Sequence, residues 1–139
     1  MAADEAPTLT DEQLELLNDC FDLARRGDSA RLLALVDAGI PVNLADHKGD
    51  SLLGLAAYNG HSALVQALLD RGADPNRLNQ RGQTALACAL FVQDVDSVRS
   101  LLAAGADPSA GHMHVWEIVD FFNLDAMRDL LPPKPQPTL

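Results

Sequence analysis

The chain has 139 residues, of which 47% are hydrophobic, 22% charged and only 4% aromatic, with a formal net charge of −10 and a pI near 4.5. Such a composition suits one globular domain with a modest core and excludes global disorder. A negative field repels phosphate backbones, so nucleic acid is not an expected partner.

Residues 1–9 carry Pro7 and no apolar period, so they are expected to form a flexible tail. They also lack the basic, apolar profile of a secretory signal, and no apolar run reaches the ~20 residues of a membrane span. A cytoplasmic location without membrane contact is expected. Thr10 begins a helix: Gln13, three residues on, gives the spacing of a capping box, and Asp11 and Glu12 suit the positive end of the helix dipole. Leu14, Leu17, Phe21 and Ala24 define its expected buried stripe. This helix is longer and more acidic than those that follow, as a capping element that faces water on one side should be.

Gly27-Asp28 ends it, and a second helix is predicted over 30–38, with Gly39 past its end. Two full units follow. In the first, Ser51 starts a helix to about Tyr58 with Leu52, Leu53, Leu55 and Ala56 packed, and Ser62 caps a second helix through Arg71. In the second, 84–92 and 95–104 repeat the arrangement, with Leu86, Ala89, Val98, Leu101 and Leu102 inward. Small residues such as Ala56 and Ala89 belong where helices approach closely. The last unit, 112–131, is shorter: Val98, Leu101 and Leu102 align with Met127, Leu130 and Leu131 at an offset of 29 (127 − 98). A Pro-rich segment, 132–139, is expected to be mobile and extended. The chain is thus one domain over 10–131, divided at 10–45, 46–78, 79–111 and 112–131.

Several residue types share one period. Gly39, Gly72 and Gly105 are spaced by 33 (72 − 39, 105 − 72), Asp74-Pro75 returns as Asp107-Pro108, and Gly49 returns as Gly82. Such a period marks a solenoid of stacked supersecondary units. The run Asp46-x-x-Gly49-x-Ser51, Leu55-Ala56-Ala57-x-x-Gly60-His61, Val65-x-x-Leu68-Leu69-x-x-Gly72-Ala73-Asp74-x-Asn76 resembles an ankyrin repeat. The resemblance covers about residues 11–131. It implies an all-α array of helix–turn–helix units joined by hairpin-like loops, which binds a protein partner on its concave side. The short array also resembles free-standing bacterial members of that family. Where the family has Thr-Pro-Leu-His, this chain has Ser51-Leu-Leu-Gly54 and Thr84-Ala-Leu-Ala87, so the hydrogen bonds centred on that histidine are absent.

In the family, contacts come from the hairpin tips and the inner face of each first helix. Carried onto this sequence, the resemblance implies contact residues Arg25, Arg26, His47, Lys48, Asp50, Tyr58, Asn59, Gln80, Arg81, Gln83, Phe91, Val92, Asp120 and Phe121. Aromatic and arginine side chains dominate interface energetics, which places Tyr58, Phe91 and Arg81 first. Tyr58 and Phe91 are equivalent positions (91 − 58 = 33) and are expected side by side. Two alternatives differ in class: an inhibitor or regulatory subunit of an enzyme or basic toxin, steered by the net charge, and a self-associating structural protein. A monomer is expected.

Chemistry beyond binding has little support. Cys20 and Cys88 lie in helices two units apart, too far for a disulfide, on faces that read as core. His112-Met113-His114 supplies two of the three or four ligands that zinc needs, so no metal and no cofactor is expected. No phosphate-binding glycine loop or nucleophile with an evident base occurs, and no enzyme activity is expected. Trp116, near Phe121 and Phe122, is expected to pack in the terminal unit.

Overall fold

A computed structural model of the protein describes residues 9–135; the expected tail segments 1–8 and 136–139 lie outside the described residues. Eight helices are described: α1 Asp11–Arg26, α2 Ser29–Asp37, α3 Leu52–Tyr58, α4 Ser62–Asp70, α5 Ala85–Phe91, α6 Val95–Ala103, α7 Val115–Phe121 and α8 Asp125–Arg128. They pair as helix–turn–helix units. First helices stack in the order α1, α3, α5, α7, second helices in the order α2, α4, α6, and α8 packs on α7. Among the described residues no strand forms, apart from a single antiparallel bridge between Ala45 and Ser51, and no helix is long and apolar enough to cross a membrane.

Local chemistry accounts for the boundaries. Thr10 closes the capping box, its Oγ1 accepting from the Gln13 N–H at 3.1 Å while its own N–H donates to Gln13 Oε1 at 2.9 Å. Ser51 and Thr84 cap α3 and α5 by accepting from Gly54 N and Ala87 N. These hydroxyl caps stand at the start of the segments that lack the family's Thr-Pro-Leu-His. Ser62 does not cap α4: the N-cap position is His61, whose ring is engaged elsewhere, as described below.

The core runs between the two rows. Leu32, Leu52, Leu53, Leu64, Leu68, Leu86, Leu90 and Leu101 are fully buried, and Ala56 and Ala89 sit at 0% exposure. One expected stripe is only half realised. Cys20, Phe21, Leu23 and Ala24 of α1 are buried, but Leu14 is 45% exposed and Leu17 half-buried. The reason is length: α3 has seven residues against sixteen in α1, so the first two turns of α1 extend past the helix they would pack on.

The final unit differs in register from the sequence expectation. Helix α5 begins at Ala85 and α7 at Val115, a shift of 30 (115 − 85). Gln93 and Asn123, the two non-glycine residues with positive φ among the described residues, show the same shift. The missing residues come from the loop before α7, and Met127 takes the place of the buried Ser97 rather than of Val98.

Asparagines join successive units. Asn43 Oδ1 accepts from Asp74 N at 2.8 Å while its Nδ2 donates to Gly72 O at 3.4 Å. One period later, Asn76 does the same with Asp107 N (2.6 Å) and Gly105 O (3.2 Å). The third position is Ser109, whose side chain is too short to continue the ladder. In the last described unit Trp116 is 8% exposed, and its Nε1 donates to Pro132 O at 2.9 Å and so ties the first proline of the expected tail to α7. Its fluorescence is expected to be blue-shifted and poorly quenched by iodide; a red-shifted, readily quenched emission would place the indole in water.

Candidate functional site

The loops between units are built alike, and this construction aims their tips. Asp46 Oδ1 accepts from the N–H groups of Lys48 and Asp50 at 2.9 and 3.0 Å. Asn79 Oδ1 accepts from those of Arg81 and Gln83 at the same two distances. Neighbouring loops are also cross-linked: Gln80 N donates to Lys48 O, Gln80 Nε2 to His47 O, and Asn79 Nδ2 to Asp50 Oδ1. The last loop joins through His112 N to Gly82 O at 3.0 Å. Backbone order at the tips holds the Cα positions of Lys48 and Arg81, while their side chains stay exposed.

These tips and the first helices enclose two adjoining grooves. One, of about 240 Å³, gathers seven of the expected contact residues: Arg25, Lys48, Asp50, Tyr58, Asn59, Arg81 and Gln83. The other, of about 360 Å³, is lined by Phe91, Met113, Ile118 and Phe122 and shares Tyr58, Arg81 and Gln83 with the first. The remaining expected residues are placed less centrally. His47 and Gln80 bond to each other at the loop tips. Asp120 pairs with Arg128 on the far side of α7 from the grooves, beside Trp116. Val92 and Phe121 are exposed at the helix ends. Arg26 is directed elsewhere, into a separate groove between α1 and α2 with Leu16 and Leu35, because one residue along a helix turns the side chain by about 100°.

Tyr58 and Phe91 line the same groove and are 50% and 48% exposed. The ring that Phe91 stacks on is Phe122, edge-to-face with centroids 5.3 Å apart. Phe122 in turn meets Phe121 at 4.9 Å. Met113, 37% exposed, lines the same groove as Tyr58, Phe91 and Phe122. The contact set implied by the family resemblance leaves out Phe122 and Met113. The signal for Phe122 was in the register: at a shift of 30 rather than 29, Phe121 and Phe122 fall on Phe91 and Val92.

Electrostatically, the first groove is mixed. Arg25 is paired with Asp22 at 2.7 Å and Asp46 at 3.7 Å. Arg81 lies 3.9 Å from Asp50, a loose pair. Cys88 lies at the floor of both grooves, 8% exposed; burial, with help from Asp50 and against Arg81, pushes its thiol up to about 11. A thiol held protonated in this way is a packing group, not a nucleophile, at neutral pH. Cys20 is likewise buried, and its thiol is raised by desolvation first and by Asp19 second. Both cysteines are free. Of the paired histidines, His112 lies over Gly82 and His114 bonds Glu117 at 2.6 Å, so each has its own partner.

Comparison with known proteins agrees with this construction. The profile of ankyrin repeats, in three copies, matches residues 21–111. A Pseudomonas aeruginosa protein described as an ankyrin repeat protein is 53% identical over 53 residues, which make up 38% of this chain and 31% of that protein. The similarity thus spans about a third of that relative's length.

Proposed function

The chain belongs to the ankyrin-repeat family, whose repeats generally serve as protein-interaction modules, and from that premise we propose that it binds a protein partner across the two adjoining grooves. The observation that carries this reading is the exposed aromatic surface of Tyr58, Phe91, Phe121 and Phe122. In a chain with 4% aromatic residues, four of its six aromatic side chains are turned outward on one face, where burial against a partner would recover their apolar area. They stand on rigid first helices and beside cross-linked loops, so little ordering entropy is lost on docking. The finer alternatives of an enzyme inhibitor or a self-associating protein gain no observation of their own here.

Replacing Phe91 and Phe122 together with alanine tests the reading. Partner capture is expected to fall by about tenfold or more. Stability should drop only by about 1–2 kcal/mol, since the rings are half exposed and lose mainly their edge-to-face contacts. Undiminished capture would move the binding surface off this face. A collapse in melting temperature would show that the rings belong to the core.

A further inference from the structure

The net charge of −10 describes the whole chain, but its cations are not spread evenly. The chain has ten lysines and arginines in all, and four of them, Arg25, Lys48, Arg77 and Arg81, line the first groove. The carboxylates near them are already committed. Asp46 is 9% exposed, with Oδ1 filled by two loop N–H groups and Oδ2 facing Arg25. Asp22 also binds Arg25, which is thereby neutralised. Asp50 is 15% exposed and accepts from Asn79 Nδ2 at 2.9 Å. That leaves three cations facing one carboxylate. Arg77 donates to the Asn43 carbonyl at 2.8 Å, a neutral partner that leaves its charge uncompensated. Among the described residues, neither Lys48 nor Arg77 has a carboxylate within salt-bridge distance, and Arg81 is 69% exposed. The groove is therefore cationic within an acidic molecule, and Tyr58 and Arg81 connect it directly to the aromatic groove.

We infer that the partner presents a short acidic segment with an adjoining large apolar side chain. Its Asp or Glu carboxylates lie over Lys48, Arg77 and Arg81, and the apolar residue enters between Tyr58, Phe91 and Phe122. The inference rests on the binding reading above and specifies the chemistry of the partner. It opposes the expectation of a basic partner, because complementarity is set by the charges at the contact and not by the sum over the chain. The acidic remainder of the surface would repel an acidic partner everywhere except at the groove, which adds orientation to the attraction.

Selection of displayed random 12-residue peptides on the whole protein tests the inference. Enriched sequences are expected to carry at least two Asp or Glu beside a Phe, Leu, Trp or Tyr. The best of them, made synthetically, should bind about tenfold or more weaker to a variant with Lys48→Glu and Arg81→Glu. Both side chains are exposed, so circular dichroism should show the fold unchanged. Binding should also weaken steeply with added salt. The same selection on the charge-reversed variant should turn to Lys- and Arg-bearing peptides. Basic or uncharged peptides from the native protein that lose binding in the Phe91→Ala/Phe122→Ala variant would overturn the inference and leave the binding reading standing. Peptides indifferent to both variants would overturn the two together, as would a failure to enrich any sequence.

Discussion

Leu86→Ala is expected to cost about 2–5 kcal/mol of stability, against a total of roughly 5–15 kcal/mol for a domain of this kind. Leu86 has no exposed surface and sits on α5, the helix that packs on α3, α6 and α7 at once. Removing its branched end leaves a cavity that three fixed neighbours border, so little of it closes by relaxation. Topology adds to the local loss. In a stack where each unit touches only the next, α5 is the connection between the α1–α4 half and the α7–α8 end. Weakening it lowers the denaturation midpoint and also uncouples the two sides, so the fitted m-value in urea should fall as well. Leu130→Ala, at a half-buried position in the last unit, should cost far less and leave the m-value unchanged. A loss below about 1 kcal/mol for Leu86→Ala would mean that the central interface repacks freely.

The fold was readable because its determinants repeat. Gly49 and Gly82 hold positive φ, at 78° and 74°, at the same point of successive loops, and the alternation of Leu53 with Leu86 or Leu68 with Leu101 marks equal places in the core. A periodic sequence reports what each unit shares. It reports poorly on where the stack ends, because an apolar stripe shows which side of a helix is greasy but not how far its neighbour reaches. Leu14 lies on the stripe of α1 and is exposed for that reason. The lining of the grooves was readable through the family resemblance, which pointed to Tyr58, Phe91 and Arg81, three residues that the structure brings to one groove. Phe122 depended on an irregular register, Arg26 on a single step of helical rotation, and the cationic groove on Lys48 meeting Arg77 and Arg81, which lie 29 and 33 residues further along the chain (77 − 48, 81 − 48). The asparagine ladder stands between these cases: Asn43 and Asn76 recur with the period, yet their partners lie in the next unit and no local pattern names them.

Gly27→Ala should destabilise the protein more than Gly60→Ala, although the two glycines have the same place in successive units and nearly the same φ, 72° and 74°. Each substitution forces an L-residue into the left-handed region at about 1–2 kcal/mol. The surroundings then separate them. A Cβ at Gly60 would meet nothing within 4 Å, whereas one at Gly27 would lie 2.5 Å from His61 Nδ1. That ring is not idle: its Nε2 donates to the Arg25 carbonyl at 2.7 Å, joining the end of α1 to the turn before α4. A ring pushed aside gives up this bond, adding roughly 0.5–1.5 kcal/mol to the cost at Gly27. The excess should vanish in a His61→Ala background, where the space is open and the bond already gone, giving a coupling of that size between two positions 34 apart (61 − 27). Urea denaturation of the four variants measures it. Equal costs at the two glycines in the native background would show that the imidazole moves without loss, and the attachment of α1 would then rest on the burial of Cys20, Phe21, Leu23 and Ala24 and on the Arg25–Asp46 pair.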